Sequence, residues 1–323
     1  MRKISRAIVT GGAGFIGSHI VDELLKRGIE TYVVDNLRTG SLENLRQHEH
    51  NKLFHMIFGD AKHMDRLLFN VNDIDVIFHE AAIASVPLSV SQPMLVHNVN
   101  VNMTLDVMNF CLDKKIKRFV FASSAAVYGV IKNNHASEDM ICKPFSPYGA
   151  SKLAIEDYLA AYHNTYGLET VALRYFNVFG SRQTLNDYSG VITIFTNQLL
   201  RKETPTVHGD GKQVRDFVHV RDIVEANMLA MESQNAVGDV FNVATQRSVS
   251  IIELLETLKE ITKTTKIQHR YGPQRPGDVR FGLANIDKIK NILGYDAKIT
   301  LKDGLAELTE FIKNKMESQM LPI

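Results

Sequence analysis

The fold of this chain is decided by one stretch near its start, Thr10-Gly11-Gly12-Ala13-Gly14-Phe15-Ile16-Gly17. The apolar run Ile4–Thr10 before it predicts a strand, and Phe15–Arg27 after it has the apolar spacing of a helix. In such a turn the first glycine permits a tight bend. The second lets the backbone approach a pyrophosphate at the helix N-terminus, and the third lets the helix pack close to the strand. Strand, glycine loop and helix together predict a dinucleotide-binding turn.

The identity of the dinucleotide is indicated by an acidic residue at the end of the next strand. Glu30–Asp35 predicts that strand, and Asp35 lies 18 residues beyond Gly17. A carboxylate there accepts hydrogen bonds from the adenosine ribose hydroxyls and repels a 2′-phosphate, which favours NAD over NADP. Arg38 is a counter-signal, although an exposed loop arginine is the simpler interpretation.

Strands and helices alternate through the first half of the chain. The further strands predicted are Leu53–Phe58, Ile74–Phe78, Arg118–Ser123 and Thr170–Tyr175, and the further helices are Met94–Leu112 and Tyr148–Tyr166. This alternation predicts a Rossmann-type α/β fold, a doubly wound parallel sheet covered on both faces. After Phe176 the pattern changes to helices near Thr193–Leu200, Asp222–Glu232, Ile251–Ile261 and Leu301–Lys313, separated by short strands and loops. We therefore expect an NAD-binding domain over residues 1–176 and a smaller mixed α/β lobe over 177–323.

Composition narrows the possible classes of function. The chain has 323 residues, 45% hydrophobic and 23% charged, with a formal net charge of +1. That balance is ordinary for a globular protein and gives no sign of a nucleic-acid-binding or membrane-binding surface. No apolar run approaches the ~18 residues of a membrane span. Cys111 and Cys142 lack the spacing of a metal or redox site, which favours a reducing cytoplasm.

The sequence contains two other groups of residues that could carry chemistry, a set of histidines and a tyrosine–lysine pair. The histidines at positions 48, 50 and 55 lack the helical spacing of a zinc site, so no metal is expected. Tyr148 and Lys152 stand four residues apart, on one face of a predicted helix. A lysine ammonium beside a phenol favours the phenolate, so we expect the pKa of Tyr148 to fall and the residue to exchange a proton. Such a pair is also common on a solvated helix face, so its weight depends on its companions.

These companions resemble one family throughout the chain. The motifs are Thr10–Gly17, Asp35-Asn36-Leu37, Gly59-Asp60, Phe78-His79-Glu80-Ala81-Ala82, Ser123-Ser124-Ala125-Ala126-Val127-Tyr128-Gly129, Tyr148–Lys152, Arg174-Tyr175-Phe176-Asn177-Val178-Phe179-Gly180, Arg215-Asp216-Phe217-Val218-His219-Val220 and Arg275-Pro276-Gly277-Asp278. Together and in this order they resemble the extended short-chain dehydrogenase/reductase family. Within it, the chain is similar to the NAD-dependent UDP-glucose and UDP-N-acetylglucosamine 4-epimerases.

The resemblance implies a role for each matching residue. Tyr148 would be the general base and acid, Lys152 would hold the nicotinamide ribose, and Ser124 would hydrogen-bond the reacting oxygen of the sugar, with Ser123 structural. The cofactor-binding residues implied are Gly11, Gly14, Phe15, Ile16, Gly17, Asp35, Asn36, Gly40, Asp60, Ala61, Ala81, Ala82, Tyr148, Lys152 and Val178. The substrate-binding residues implied are Ser124, Asn177, Arg215, Arg275, Asp278 and Gly282. Arginine suits a diphosphate because its guanidinium pairs with two oxygens at once.

The activity implied is that of an isomerase, a 4-epimerase of UDP-hexoses that passes through a 4-keto sugar. The dehydratases of the family carry an Asp-Glu pair after the active-site hydroxyl residue, and the decarboxylases carry a glutamate in this segment. Here those positions are Ala125 and Ala126, which cannot exchange a proton. Another sugar-nucleotide-modifying activity of this fold (4,6-dehydratase, decarboxylase or 4-reductase) and a non-catalytic NAD-binding regulator remain the alternatives.

Two finer expectations come from the resemblance. A tyrosine seven residues after the arginine of the Arg-Pro-Gly-Asp motif closes the sugar pocket of the family against N-acetylated sugars. This chain has Gly282 there, which predicts acceptance of UDP-N-acetylglucosamine and UDP-N-acetylgalactosamine, unless Phe281 or another side chain fills the gap. Members of the family also usually form homodimers through two long helices, which would be Met94–Leu112 and Tyr148–Tyr166.

Overall fold

A computed structural model of the chain describes residues 4–131, 135–183, 190–274 and 281–320. The strands are β1 (Arg6–Thr10), β2 (Glu30–Asp35), β3 (Phe54–Phe58), β4 (Val76–His79), β5 (Arg118–Ser124), β6 (Glu169–Tyr175), β7 (Asn177–Phe179), β8 (Thr206–His208), β9 (Val214–Arg215), β10 (Phe217–His219), β11 (Asp239–Val243), β12 (Val249–Ser250), β13 (Arg270–Gly272) and β14 (Phe281–Gly282). The helices are α1 (Phe15–Lys26), α2 (Met64–Leu67), α3 (Val86–Ser91), α4 (Pro93–His97), α5 (Met103–Asp113), α6 (Pro147–Tyr166), α7 (Val191–Leu200), α8 (Val220–Glu232), α9 (Ile251–Ile261), α10 (Asp287–Leu293) and α11 (Leu301–Met320).

A parallel sheet of seven strands forms the centre of the fold, in the order β11-β6-β5-β4-β1-β2-β3. The chain moves outward from β1 through β2 to β3 and then returns to place β4 on the other side of β1. The strand order therefore reverses between β1 and β4, and ligands of doubly wound sheets bind at the carboxyl ends of the strands at such a point. The predicted Rossmann-type α/β fold is confirmed.

The two faces of the sheet are buried by different helices. In β1, Val9 packs with the layer that holds Ile20 of α1 and Ile223 of α8. The neighbouring Ile8 points the opposite way and packs with Val107 of α5 and Ile155 of α6. All six side chains are buried, and each contributes about 1.5–3 kcal/mol to folding. The alternation along one strand explains why these buried strands are apolar at nearly every position.

A smaller lobe has its own core, formed by α7, α9 and α11 around Phe195, Leu254 and Leu305. The chain enters it after β6 but does not stay there. Helix α8 returns to pack against α1, and β11 pairs with β6 as the edge strand of the large sheet. Two elements that follow residue 176, α8 and β11, therefore pack with the large sheet, and β11 pairs with the edge that β6 would otherwise leave open. The division into an NAD-binding domain over residues 1–176 and a smaller lobe over 177–323 stays a prediction.

Two predicted helices differ from those observed. The helix expected over Met94–Leu112 runs from Pro93 to Asp113, but a π-helical turn at Asn98–Asn102 separates α4 from α5. The last helix, expected to end at Lys313, continues to Met320, since neither proline nor glycine interrupts that stretch. Three further helices, α2, α3 and α10, are not among those expected from the sequence, and all three are short.

Candidate active site

A cavity of about 290 Å³ opens at the carboxyl ends of β1 to β4. Most residues expected to hold the cofactor line it, namely Gly11, Gly14, Phe15, Ile16, Gly17, Asp35, Asn36, Asp60, Ala61, Ala81 and Ala82. Gly40 lies just outside, where a β-carbon would stand 3.0 Å from a carboxylate oxygen of Asp35. Four separate strand-to-helix loops thus converge on one crevice.

Two glycines of the first loop stand where no larger residue would fit, so the loop presents bare backbone to the cavity. Gly11 has φ +69, and a β-carbon there would lie 2.7 Å from the amide nitrogen of Ala81. A β-carbon on Gly17 would lie 2.3 Å from the carbonyl oxygen of Gly11, so only glycine lets α1 approach the loop. The bare N-terminal end of α1 fits a pyrophosphate, because backbone amides and the helix dipole attract negative charge.

Asp35 is buried and already holds the loop in shape. Its carboxylate accepts hydrogen bonds from the backbone of Ala13 at 3.0 Å and of Leu37 at 2.8 Å. A carboxylate has about four acceptor positions, so it retains capacity for ribose hydroxyls in the cavity that it lines. Arg38 stands exposed at the rim of the same cavity. The cradle and the acidic residue together fit NAD.

The start of α6 brings Tyr148 to Ser124 at the end of β5. Ser146 caps this helix by accepting a hydrogen bond from the backbone of Gly149 at 3.1 Å, and Pro147 occupies the first turn. A β-carbon on Gly149 would lie 2.5 Å from the carbonyl oxygen of Ala126, so the glycine lets α6 pack on the turn after β5. The hydroxyl of Ser124 lies close enough to that of Tyr148 to lower its pKa. Two hydroxyl groups therefore converge where one substrate oxygen could bind.

Lys152 lies one turn further along α6 and points down into the sheet. Its Nζ donates to the carbonyl oxygen of Ala122 at 2.6 Å and lies 4.7 Å from the centre of the Phe121 ring. Burial lowers the pKa of Lys152 to about 8, while the negative charges of Glu80 and Glu156 oppose that shift. The lysine is therefore close to losing its charge in the neutral to mildly alkaline range.

The expected drop in the pKa of Tyr148 is wrong for this structure. Burial raises the pKa of Tyr148, the carboxylate of Glu80 raises it further, and the hydroxyl of Ser124 opposes them. The helical spacing of Tyr148 and Lys152 is as predicted. The ammonium, however, donates to Ala122 at the end of β5, so its charge is directed at a backbone carbonyl.

A second cavity, of about 610 Å³, lies in the smaller lobe next to the end of β6. It is lined by two of the expected substrate-binding residues, Asn177 and Arg215, and by polar side chains that include Gln183, His208 and Arg270. Val178, expected to bind the cofactor, lines this cavity. A β-carbon on Gly282 would lie 3.4 Å from Cδ of Arg215. The expected residues Arg275 and Asp278 lie outside the described residues.

Comparison with known proteins identifies the family. The profile of the NAD dependent epimerase/dehydratase family matches residues 7–244. The chain belongs to this family. A putative UDP-glucose 4-epimerase of Methanocaldococcus jannaschii is 36% identical over 314 residues, covering 95% of this chain and 98% of the relative.

Solved structures and a relative of different activity extend the comparison. The UDP-N-acetylglucosamine 4-epimerase of Methanobrevibacter ruminantium, in complex with UDP-N-acetylmuramic acid, superposes with a TM-score of 0.92 at 38% identity, covering 98% of this chain and all of that one. UDP-glucuronic acid decarboxylase 4 of Arabidopsis thaliana is 34% identical over 323 residues, covering 98% of this chain and 70% of the relative. The expected family, NAD as the cofactor and the isomerase class are confirmed, whereas the sugar is not fixed by these relatives.

Asn100 holds part of the site in place and is not among the residues expected from the sequence. Asn100 sits in the π-helical turn, and such turns often occur at functional sites. Its side chain accepts from the backbone nitrogen of Ile83 at 2.8 Å and donates to the Ile83 carbonyl at 3.1 Å and to Ser151 at 3.1 Å. It thus ties the loop after β4 to α6, between Tyr148 and Lys152. The sequence signal that could have pointed to Asn100 is the segment that it begins, Asn100-Val101-Asn102-Met103-Thr104.

The described residues form neither a metal site nor a membrane-spanning helix. Among the residues that the structure describes, no group of three or more His, Cys, Asp or Glu side chains could hold a metal ion. His48 and His55 instead contact carboxylates, Asp22 at 2.6 Å and Glu30 at 2.9 Å. No helix within the described ranges is both long and apolar enough to span a membrane.

Proposed function

We propose that this chain is an NAD-dependent 4-epimerase of UDP-hexoses, interconverting UDP-glucose and UDP-galactose, and also their N-acetylated counterparts, through a 4-keto sugar. The observation that carries the proposal is the position of the Ser124–Tyr148 pair. Ser124 lies in register with Tyr175 of β6, and two residues later the chain reaches Asn177 in the second cavity. On its other side β5 pairs with β4, whose following loop lines the cofactor cavity. The strand order therefore supports a position for the hydroxyl pair between the two cavities.

In this reaction the side chains of the protein move one proton, which they remove from and return to the 4-hydroxyl oxygen of the sugar. Ser124 and Tyr148 would hold the 4-hydroxyl of the sugar, and Tyr148 would take its proton as the hydride leaves C4. NAD, when bound, accepts that hydride and returns it. The keto sugar turns over before the return, and Tyr148 gives the proton back, so no net oxidation occurs. Because burial raises the pKa of Tyr148, its phenolate form needs a cation close by. Lys152 on the same face of α6 would supply it by turning its ammonium from the carbonyl of Ala122 towards the phenol.

Plain epimerisation is favoured over dehydration or decarboxylation by the residues that follow Ser124. Elimination or loss of CO₂ from a sugar requires a further acid or base beyond the one that serves C4. Ala125 and Ala126 occupy the turn after β5, and neither can supply it. Decarboxylation is the second candidate, because some of the relatives are decarboxylases. Analysis of the products distinguishes epimerisation from decarboxylation.

The breadth of sugars that we propose depends on Gly282. The residue lies in β14, next to β9, in register with Arg215. A side chain at this position would cover Cδ of Arg215, which lines the second cavity, and glycine leaves it uncovered. The larger N-acetyl group at C2 would lie on that side of the arginine. The uridine diphosphate would be held from the same side by Arg215 and, by resemblance, by Arg275 and Asp278.

The proposal includes a homodimer that works in the cytoplasm. Exposed apolar side chains stand along α3, α4 and α6, among them Val90 at 66%, Met94 at 68% and Tyr158 at 43% exposure. These helices pack side by side, so the residues form an apolar surface of the kind that a second copy would bury. Sedimentation velocity of the purified chain tests the dimer.

A panel of nucleotide sugars tests the reaction. The purified protein is incubated with UDP-glucose, UDP-N-acetylglucosamine and UDP-glucuronic acid, and the products are analysed by NMR. We expect C4 epimers from the first two, with no net change of absorbance at 340 nm because NADH does not accumulate. A pentose product from UDP-glucuronic acid would show that the protein is a decarboxylase. A deoxy-keto sugar from UDP-glucose would show that it is a dehydratase.

A further inference from the structure

A short stretch of chain, residues 281–285, runs from the second cavity towards the hydroxyl pair. Gly282 of this bridging stretch pairs with Arg215 of β9, which lines the second cavity. Three residues further on, the backbone nitrogen of Asn285 donates to the carbonyl of Ala136 at 2.8 Å. The backbone nitrogen of Ala136 donates back to the same stretch, also at 2.8 Å. The bridging stretch therefore contacts the wall of the second cavity at one end and Ala136 at the other.

Ala136 lies in the part of the chain that separates the two residues of the hydroxyl pair. Ser124 ends β5, residues 125–146 connect β5 to α6, and Tyr148 is the second residue of α6. This connecting segment therefore has one hydroxyl residue at each end. Its attachment to the bridging stretch relates the pair to Arg215, which would hold the diphosphate in the proposed reaction. Two backbone bonds alone are a weak attachment, since an isolated pair of short strands is only marginally stable in water.

Asn242 of β11 strengthens this attachment. Its side chain is fully buried, and Nδ2 donates to the carbonyls of Ala136 at 2.9 Å and of Asn285 at 3.1 Å. Because a carbonyl can only accept, these bonds identify Nδ2 as the nitrogen and leave Oδ1 to accept from Oη of Tyr128 at 2.6 Å. The backbone nitrogen of Asn242 donates to Oε1 of Glu138 at 2.7 Å. One residue of the central sheet thus holds the bridging stretch and three positions of the connecting segment.

We propose that Asn242 is a positioning residue, which holds the hydroxyl pair at a fixed distance from a nucleoside diphosphate bound at Arg215. The inference rests on the proposed function, in which the pair and Arg215 hold the two ends of one substrate. Asn242 is fully buried and lines neither cavity, so it acts through the backbone that it holds. The alignment matters because a displacement of about 1 Å at the reacting groups can cost about 100-fold in rate.

Replacing Asn242 by leucine tests the proposal, because Asn242→Leu keeps a side chain of similar size and removes every hydrogen bond of the amide. We expect kcat with UDP-glucose to fall by at least about tenfold, since the hydroxyl pair is no longer aligned with the sugar. The dissociation constant of UDP, measured by calorimetry, should stay at its wild-type value, because UDP lacks the sugar that the pair would contact. A merely structural role would lower the unfolding midpoint without separating these two quantities.

Tyr295→Phe is the matched control. Tyr295 is fully buried, and its hydroxyl donates to the carbonyl of Ala244 at 3.2 Å, two residues beyond Asn242 in the chain. The variant also removes a buried side-chain hydrogen bond near the end of β11, but that bond joins neither the bridging stretch nor the connecting segment. We expect a lowered unfolding midpoint and an unchanged kcat. A wild-type kcat in Asn242→Leu, or an equal fall in Tyr295→Phe, would overturn the proposal.

A second variant covers the case in which Asn242→Leu does not fold. Glu138→Ala leaves the amide of Asn242 in place and removes the carboxylate that accepts from its backbone nitrogen. We expect a smaller fall in kcat, again with the dissociation constant of UDP retained, and an unchanged kcat would reject the proposal. If the sugar panel shows decarboxylation or dehydration, the proposed function fails. The same comparison of kcat with UDP binding, made for the reaction observed, then decides the role of Asn242 separately.

Discussion

Glu156 of α6 and Arg174 of β6 form a buried ion pair, with Oε2 and Nη2 2.6 Å apart. Glu156 also accepts a hydrogen bond from Ser123, the neighbour of Ser124. Arg174 donates in turn to Oη of Tyr128 at 2.8 Å, in the turn that follows Ser124. The pair therefore joins the helix that carries Tyr148 and Lys152 to both ends of the segment that carries Ser124. The hydrogen bond of Ser123 to Glu156 supports the structural role that the resemblance implies for Ser123.

Breaking this pair from one side should cost much of the stability of the protein. In Arg174→Met we expect the free energy of unfolding to fall by about 3–5 kcal/mol, because Glu156 would be left charged and buried without its partner. Urea unfolding followed by circular dichroism measures it. The control is Arg221→Met, which removes an exposed pair with Glu307 and should change stability by no more than about 1 kcal/mol. Equal losses in the two variants would contradict this account.

Stability should also fall in mild acid because of His79. Its ring is buried between Thr10, which contacts Nδ1 at 2.8 Å, and Thr104, which contacts Nε2 at 2.9 Å. The proton of the Thr104 hydroxyl is donated to the Asn100 carbonyl, so the ring donates from Nε2 to Thr104. In the neutral imidazole, Nδ1 then accepts from the hydroxyl of Thr10. Burial accordingly lowers the pKa of His79 to about 3.

The sign of the pH effect follows from that lowered pKa. Between the ordinary value of 6.5 and about 3, the unfolded chain binds a proton at His79 that the folded protein does not. The stabilisation is complete above pH 6.5 and is lost as pH falls, at about 1.4 kcal/mol per unit. Urea unfolding from pH 7 to 5 should show this slope reduced in His79→Asn and unchanged in His63→Asn, at an exposed histidine. A slope that survives in His79→Asn would assign it to other groups.

Tyr148 is the residue whose loss should separate binding from catalysis. Tyr148→Phe keeps the ring that packs at the start of α6 and removes only the hydroxyl that contacts Ser124. We expect bound NAD and the unfolding midpoint to be retained, while turnover falls by at least about 100-fold. Tyr166→Phe, at an exposed position near the end of the same helix, is the control and should keep full activity. Near-normal turnover in Tyr148→Phe would require a different proton carrier.

The sheet and the cofactor cavity could be predicted because their signals are local. Apolar runs, helical spacing and three glycines lie within a few residues of the structure that they specify. The hydrogen bonds that hold Glu80 could not be predicted. Tyr175, which donates to Glu80, is 95 residues away in the chain, and Asn227, which donates to Tyr175, lies 52 residues beyond it. The orientation of Lys152 was missed for a related reason. Helical spacing places its Cα beside Tyr148, but the direction of its ammonium is decided by Ala122, on a strand that only the fold brings near.

The choice of sugar can be tested at Gly282 with two substitutions that differ in size. A β-carbon there meets Cδ of Arg215 at 3.4 Å and the carbonyl oxygen of Val214 at 3.6 Å, both ordinary contacts, so Gly282→Ala should fold and keep both activities. A tyrosine would extend beyond that contact into the space beside Arg215. In Gly282→Tyr we expect turnover of UDP-N-acetylglucosamine to fall by at least about tenfold relative to UDP-glucose, since the N-acetyl group needs the occupied volume. Comparing kcat/KM for the two substrates in each variant measures it. If Gly282→Tyr keeps the wild-type ratio, or if the wild type has no activity on the N-acetylated sugar, the space at this position does not set the specificity.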